Sequence, residues 1–492
     1  GGLWRGVTTG DHTMGAINAQ MQEDSDVKRR LLVPDSAASE EQLADFSEGE
    51  GYDEEKQVGA EEREAFFADA SKREVKFSGQ VMNLSNTIVG AGLMALPKVV
   101  EQLGIIPGCV SLLLVLFCAI KTLNYMLVES QRCDSTSFAE VVRQRLGPKM
   151  ALALELSIMV NNIGLLIIYL RIISDVLIGN GEYKGIITEF VSSGILTKAE
   201  FSVGLIAFPV LLPLCALERM DSLAAASTSG LSLAVLFSVV TIVMSVIEIS
   251  KNGLGDVAWG FNPKSFSGGA GSDLLVVVSV FPVIFTSLVC HYNLLHVKED
   301  LPRHHRNKMP KIVNMAGGGC MCLYILVATF GYILFKDDTQ GDVLLNFSCK
   351  VLEPLVGSKG CIVVAVGVRV MYAVVLSMTF PLIHYALRET IMNLFFKPEQ
   401  RTASVRWAST AVNITVAFFT ALNVPNIWTP LQITGAVAAG LIGFVIPSML
   451  HLSAPEEEKT LASKVQASLL FSLGFLVGAI TIWQLFTGQL TG

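Results

Sequence analysis

The chain has 492 residues, of which 51% are hydrophobic and only 16% are charged, whereas soluble domains carry about 25% charged residues. This composition and the mean hydropathy of +0.53 argue against a water-soluble enzyme and leave room for about a dozen membrane spans of roughly 20 residues. The net charge of −7 comes from the N-terminal segment, because residues 1–76 hold nine basic and 18 acidic residues, against 27 and 25 in the rest. Since no dense basic stripe is present to neutralise phosphates, we expect no nucleic-acid partner.

The first 76 residues lack a sustained apolar period and are rich in Glu, Asp, Ser, Ala and Gly, which predicts a disordered acidic tail. From residue 77 onward, apolar blocks alternate with short polar loops, and each block is long enough to cross a bilayer as a helix. The pattern therefore predicts an all-α membrane domain over 77–492. The eleven predicted spans are 77–101, 106–128, 151–178, 201–218, 223–248, 272–297, 311–335, 359–388, 404–423, 428–451 and 465–488.

The distribution of Lys and Arg predicts the orientation of these spans. With a cytosolic N-terminus, the loops on the cytosolic side hold sixteen basic residues and the loops on the far side hold seven. The excess of positive charge favours that arrangement, and eleven spans then place the C-terminus on the far side.

The far-side loop at 336–358 carries two features of an oxidising compartment. Asn346-Phe347-Ser348 is an N-glycosylation sequon. Cys349 and Cys361 lie near each other in sequence and are either disulfide-bonded or two free thiols. On the cytosolic side, the sequence SFAEVVRQRLGP after the second span predicts a short amphipathic helix capped by Ser137.

The first span contains a candidate interruption. Gly90-Ala91-Gly92 lies at its centre and follows Asn86 and Thr87. Glycine weakens a helix, and a broken helix in a membrane frees backbone amides and carbonyls that can bind a ligand. The alternative is close helix packing through small residues. The neighbouring polar side chains favour the interruption.

The sixth span contains Pro282 near its middle, followed by Thr286, Ser287 and His291. Proline removes a backbone donor and frees a carbonyl one turn earlier. Two interrupted spans that run in opposite directions, five spans apart, are typical of an inverted repeat. We therefore expect an inverted repeat of five plus five spans with one helix added. The substrate would lie between the two interruptions, bound by the backbone of 86–92 and by Thr286 and Ser287.

The third and eighth spans add candidates for substrate binding. Asn161, Asn162 and Tyr169 are expected to close one side of the site. Arg369 lies near midplane depth, where a cation is costly unless it is paired or used. It either receives an anionic group of the substrate, which would favour acidic amino acids, or forms a structural pair with an acid such as Asp175.

Three side chains are candidates for ion coupling. The hydroxyl groups of Ser377 and Thr379 either help to bind a small cation or bond to their own helix. His291 either carries a proton or is a packing residue with a hydrogen bond.

Several segments together resemble the amino acid/auxin permease family, and the resemblance is strongest to the plant vacuolar transporters of its SNAT-like branch. The segments are NLSNTIVGAGLMALP, VNNIGLLIIYL, PLCALERMDSLAAAS, DLLVVV, VCHYN, FPLIHYALRET and VPNIWTPLQITGAVAA. The resemblance implies eleven spans, a LeuT-like fold and transport of amino acids coupled to H⁺ or Na⁺. It also implies a sodium site that maps to Asn86 and to Ser377 or Thr379. However, this chain has LSMTFP where animal members have a threonine-rich segment, and it lacks their long loop between spans five and six. These departures favour protons.

The sequence thus predicts a multi-pass secondary transporter of amino acids; a vacuolar or other internal membrane is favoured, and the plasma membrane is the alternative. The second hypothesis is an amino acid sensor that signals through the acidic tail. A membrane enzyme is disfavoured because no catalytic motif is present, and a channel because no repeated filter segment is present. We expect no cofactor beyond the coupling ion; the sequence does not indicate an oligomeric state.

Overall fold

The computed structural model describes residues 77–216, 224–266 and 268–488, and the predicted acidic tail lies outside them. The described part is helical throughout, with one isolated β-bridge between Gly179 and Lys184. The first apolar block forms two short helices, α1 at residues 77–88 and α2 at Leu96–Leu103, joined by a 3₁₀ turn at Ala91–Ala95.

The remaining helices follow in chain order, with short 3₁₀ turns in several loops. They are α3 (Ile105–Arg132), α4 (Phe138–Leu146), α5 (Pro148–Leu177), α6 (Ile186–Phe190), α7 (Ala199–Ala216, with a π-helical turn inside), α8 (Ala224–Asn252), α9 (Ala270–Leu288), α10 (His291–Glu299), α11 (Met309–Phe335), α12 (Val343–Asn346), α13 (Cys349–Phe395, with a kink at the non-helical Gly357), α14 (Ala403–Asn423), α15 (Trp428–Leu452, with two π-helical turns inside) and α16 (Leu461–Thr487).

Ten helices in the described part of the chain are long and apolar enough to cross a membrane. They correspond to the second to eleventh predicted blocks, with α9 and α10 sharing one span. The first block does not count as a continuous helix because α1 and α2 are separate. The prediction of an all-helical membrane domain is confirmed, whereas the exact number of eleven crossings is not.

The buried core draws on the end of α1, on α2, on the second half of α9, on one face of α11 and on most of α15. The outer helices keep an apolar face exposed, as Ile106, Val110 and Phe117 of α3 show. Exposed apolar side chains in such numbers are expected where lipid replaces water as the solvent. The bilayer therefore contacts a surface as apolar as the core.

The predicted amphipathic helix is α4, and its boundaries follow from its sequence. The Ser137 hydroxyl accepts a hydrogen bond from the backbone N–H of Glu140, at 3.4 Å, and Gly147 ends the helix with a positive φ of 89°. Phe138, Val141 and Val142 are buried. The carboxylate of Glu129, at the end of α3, is fully buried and pairs with Arg145 of α4 at 2.8 Å and with Arg132. This pairing fastens α4 to the bundle.

The far-side loop differs from its prediction. We expected an exposed polar loop at 336–358, but α12 within it is buried, and so are Asp342 and Phe347 on either side. Cys349 and Cys361 form a disulfide bond at the start of α13, with 5.1 Å between their Cα atoms. Asp337 and Asp338 before α12, and Lys350, Glu353 and Gly357 at the start of α13, are exposed.

Candidate functional site

The interruption of the first span is built by close backbone packing. Gly90 is extended, with φ −136° and ψ −150°, and ends the α-helical hydrogen bonding of α1. A Cβ atom on Gly92 would lie 2.3 Å from Ser287 Oγ and 2.7 Å from Ser287 Cα. Only glycine fits there without a shift of α9. The predicted break is therefore present, and it is also a packing site, so both interpretations of the glycines hold.

The interruption of the sixth span lies after the position that the sequence predicted. Helix α9 continues through Pro282 and ends at Leu288, and Val289 is extended with φ −73° and ψ 111°. Beside the proline, α15 contacts α9 through Gln432, whose Nε2 donates to the carbonyl oxygen of Ser279 at 3.1 Å. The Thr286 hydroxyl donates to the carbonyl oxygens of Pro282 and Leu431, at 3.0 and 3.1 Å.

Two tyrosine hydroxyl groups satisfy the carbonyls that the interruptions free. Tyr324 Oη of α11 lies 2.6 Å from the carbonyl oxygen of Ile88 and 2.8 Å from that of Ser287. Tyr372 Oη of α13 donates to the carbonyl oxygen of Gly90 at 3.0 Å. The sequence analysis missed both residues, because a tyrosine within an apolar helix gives no signal of what its hydroxyl contacts.

A cavity of about 720 Å³ extends from the interruptions to one end of the bundle. Its inner part is lined by both interrupted spans and by α5 and α13. Its outer part reaches Ser137 before α4 and Asn393 at the end of α13, both of which are exposed. The opening is on the side predicted to be cytosolic. The cavity is large enough for an amino acid and several water molecules.

Nine of the predicted site residues line this cavity. They are Asn86, Thr87, Gly90, Ala91, Gly92, Asn162, Tyr169, Thr286 and Thr379. The hydroxyl group of Tyr169 reaches Thr379 and the backbone of Ala91. Asn86 Nδ2 is buried without a hydrogen-bond partner among the described residues, so it is available to a ligand. Thr379 Oγ1 donates to the carbonyl oxygen of Val375 at 2.9 Å.

Four predicted residues that do not line the cavity have local partners. Asn161 Nδ2 donates to Asn162 Oδ1 at 3.4 Å. The hydroxyl groups of Ser287 and Ser377 each donate one turn back along their own helix, at 2.8 Å. His291 Nε2 lies 2.9 Å from Thr122 Oγ1 in a fully buried position. The packing interpretation fits the position of His291 better than the proton-carrying one.

Arg369 also lies away from the cavity. Its guanidinium group donates to the carbonyl oxygens of Leu344, Leu345 and Lys184, at 3.0, 3.1 and 2.6 Å. Asp175, its expected partner, instead pairs with Arg171 at 2.7 Å. Arg369 thus fastens α12 to the bundle, and neither alternative from the sequence describes its contacts.

Asn346 is buried, in contrast to its predicted exposure. Its Nδ2 donates to the carbonyl oxygen of Asp338, and its Oδ1 accepts from the backbone N–H of Gln340, both at 2.8 Å. Attachment of a glycan in this conformation would require α12 to leave its position.

The lining also includes residues that the sequence analysis did not place at the site. Tyr292 and Asn293 follow the second interruption, and Asn293 Nδ2 donates to Thr87 Oγ1 at 2.7 Å, which links the two interrupted spans. Glu155, His296 and Glu389 line the cavity as well. Among the described lining residues there is no lysine or arginine. The carboxylate of a bound substrate would therefore have to be met by backbone N–H groups and neutral side chains.

Comparison with known proteins agrees with this architecture. Residues 75–487 match the family model described as transmembrane amino acid transporter protein. The chain belongs to this family. Among curated relatives, this transporter is 33% identical to amino acid transporter AVT6B of Arabidopsis thaliana over 83% of its own length and 89% of the relative. It is 31% identical to amino acid transporter AVT6E of the same plant, over 78% and 77% of the two chains.

More distant proteins extend the comparison. The transporter is 23% identical to sodium-coupled neutral amino acid symporter 2 of Danio rerio over 84% and 83% of the two chains. The crystal structure of MhsT in complex with L-phenylalanine superposes with a TM-score of 0.55 over 82% of this chain and 97% of MhsT, at 14% identity. That similarity shows the fold alone, and it supports the LeuT-like class predicted from the sequence. The predicted family resemblance is confirmed.

Proposed function

We propose that this transporter carries amino acids by alternating access, with the substrate bound between the two interrupted spans. The observation that carries the proposal is the cavity itself: both interruptions line it, and its lining reaches exposed residues at one end of the bundle. Family membership and the amino acids named for the relatives support the class of substrate.

The substrate's α-carboxylate and α-amine are proposed to bind the backbone of 86–92. Extended geometry at Gly90 turns backbone groups away from helical partners and toward the cavity. Tyr169, Asn162 and Thr286 supply hydroxyl and amide groups around the same point. Since Arg369 is tied to three carbonyls elsewhere, we derive no preference for acidic substrates from it.

The structure corresponds to one state of the proposed cycle. The cavity opens beside Ser137 and Asn393, whereas α12 and the loop around it are packed against α5 and α13 at the opposite end. With the cytosolic N-terminus and eleven crossings that the sequence predicts, this is an inward-open state. We propose five plus five spans in inverted repeat, with α16 as the added helix.

Protons are proposed as the coupling ion, in preference to Na⁺. Three ionisable side chains, Glu155, His296 and Glu389, line the cavity, and the departures of this sequence from the animal members' sodium-site segment favour protons. Residence in the vacuolar membrane and export to the cytosol are proposed from the resemblance to plant vacuolar transporters.

Flux measurements in proteoliposomes test the proposal. We expect uptake of radiolabelled amino acids that exceeds the equilibrium level when a pH gradient is imposed, and not when a Na⁺ gradient is imposed at constant pH. A proton ionophore should abolish the excess. Binding of amino acids without any flux would favour the sensor hypothesis, and accumulation driven by Na⁺ alone would refute proton coupling.

A further inference from the structure

The two interrupted spans meet at one side chain, Tyr324. It lies in the middle of α11, is fully buried, and directs its hydroxyl group at the carbonyl oxygens of Ile88 and Ser287. Ile88 is the last residue of α1, and Ser287 lies one residue before the end of α9. These are two of the carbonyls that lose helical partners at an interruption.

Two carbonyl oxygens that converge from broken membrane helices form half of a binding site for a small cation. In this chain the point between them is filled. At 2.6 and 2.8 Å from the two oxygens, the hydroxyl group leaves no room for an ion to contact both. The hydroxyl proton supplies the partial positive charge that the two oxygens require, and it is shared between them.

The adjacent contacts show that α11 is built to approach the first span here. Cys320, one turn before Tyr324, lies 3.7 Å from the carbonyl oxygen of Ser85 through its Sγ. Both side chains lie on the face of α11 that meets α1. The tyrosine is therefore held by its helix and does not depend on a bound ligand for its position.

We propose that the Tyr324 hydroxyl takes the place of a cation between the two interrupted spans, as a fixed positioning group that joins them in the absence of Na⁺. This inference rests on the proposed transport function, because it identifies a group that maintains the geometry of the proposed substrate site without sodium. It predicts that removal of the hydroxyl both loosens the interruptions and opens a place for Na⁺.

Tyr324→Phe removes the hydroxyl and retains the ring. In hydrogen–deuterium exchange of the detergent-solubilised full chain, we expect peptides that span 84–96 and 283–293 to exchange about ten-fold faster in the variant, because buried acceptors have lost their donor. Adding 100 mM NaCl in place of choline chloride should slow the exchange of these peptides in the variant and leave the unaltered protein unchanged.

Tyr332→Phe is the matched control, since Tyr332 lies two turns along α11 and its hydroxyl contacts the backbone N–H of Ala258, outside the site. It should leave the exchange of both peptides unchanged. Equal exchange in Tyr324→Phe and the unaltered protein would overturn the proposal. If the variant exchanges faster and Na⁺ does not slow that exchange, Tyr324 joins the two spans but does not substitute for a cation. Equal slowing of the variant and the unaltered protein by Na⁺ would lead to the same conclusion.

The exchange measurement requires no transport. If the protein carried no amino acid in proteoliposomes, the proposed function would be refuted, but the exchange measurement would still test the role of Tyr324. In the flux assay, Tyr324→Phe should reduce transport by about ten-fold at the same choline chloride concentration, with partial recovery in NaCl.

Discussion

Because Gly92 has no side chain, the first span can lie directly against α9 at this point. Its Cα is so close to α9 that even a methyl group would overlap Ser287 Oγ and Cα. Ser287 cannot move aside easily, because its backbone belongs to α9 and its hydroxyl is bonded within that helix. A side chain at position 92 must therefore push the two interrupted spans apart.

Gly92→Ala is expected to reduce amino acid flux by at least ten-fold while the protein remains in the membrane at normal amounts. Overpacking of this kind costs about 1–3 kcal/mol. Gly318→Ala is the control, since a Cβ on Gly318 in α11 meets nothing within 4 Å. Flux assays and quantitative immunoblots check the pair. Normal flux in the Gly92 variant would show that the spans can separate freely there.

The contacts of the two tyrosine hydroxyl groups could not be predicted from the sequence. The glycine-rich segment and its asparagines were recognisable because their residue types are unusual in a membrane helix. Tyr324 and Tyr372 were not, because a tyrosine in an apolar span is compatible with lipid contact, packing or hydrogen bonding. Which of these applies depends on the tertiary contacts of the hydroxyl alone.

At the scale of elements, α12 is a buried segment in a loop that the sequence predicted to be exposed. Its polar residues, Asp342 and Asn346, are buried, and their side chains bond to the backbone of the same loop. Short polar residues that satisfy their own loop can be buried at little cost, and hydropathy does not distinguish that case. Pro282 is the opposite case: the sequence predicted an interruption there, but α9 continues through it, and Gln432 of α15 donates to the nearby carbonyl oxygen of Ser279.

Arg369→Gln tests the role of α12 as a closed end of the bundle. The change removes charged hydrogen bonds to three carbonyls, so we expect a lower melting temperature and reduced flux, by the same factor for aspartate, glutamate and neutral amino acids. Lys359→Gln, at an exposed position of the same helix, should affect neither. A selective loss of acidic substrates would mean that Arg369 reaches the substrate in another state of the cycle.

The carboxyl group of Asp342 gives this segment a dependence on pH. Burial raises the pKa of Asp342 to about 7, against the opposing effects of the hydrogen bond from the backbone N–H of Leu344 and of the charges on Arg369 and Arg171. The folded protein thus holds a proton that the unfolded chain, with an ordinary pKa of about 3.9, releases. The resulting stabilisation is complete below pH 4 and is lost as the pH rises through 7.

Asp342→Asn mimics the protonated acid and should remove this dependence. At pH 8 we expect the variant to melt about 2–5 °C above the unaltered protein, and at pH 4 to melt at the same temperature. Asp256→Asn, at an exposed site, is the control. Thermal melts in detergent across this pH range check the prediction. A difference that is constant with pH would show that Asp342 does not titrate in this window.

For the whole molecule, hydropathy alone predicted the helical membrane fold, because each span must satisfy its own backbone in lipid. The interruption of α1 was also predictable from glycine. What hydropathy cannot supply is the shape of the cavity, which depends on how four spans pack. His291, Ser377 and Arg369 are examples: their positions along the spans made them candidates, but their side chains do not line the cavity.

The proposed orientation can be tested by labelling exposed positions at the two ends. Ser193→Cys lies in the loop before α7 and Glu399→Cys in the loop before α14, and both positions are exposed. In intact vacuoles, an impermeant maleimide should label Glu399→Cys and should label Ser193→Cys only after the membrane is permeabilised. The opposite pattern would reverse the orientation of every span, and with it the state that the cavity represents.

The disulfide bond between Cys349 and Cys361 has a practical consequence for producing the protein. Such a bond forms in the lumen of the secretory pathway and not in a reducing extract. It closes a separation of 12 residues, for which the stabilisation is about 3 kcal/mol. Material made without an oxidising compartment will lack this bond, which spans the kink at Gly357 within α13. A poorly stable preparation should therefore be checked for two extra titratable thiols before its detergent or lipid is changed.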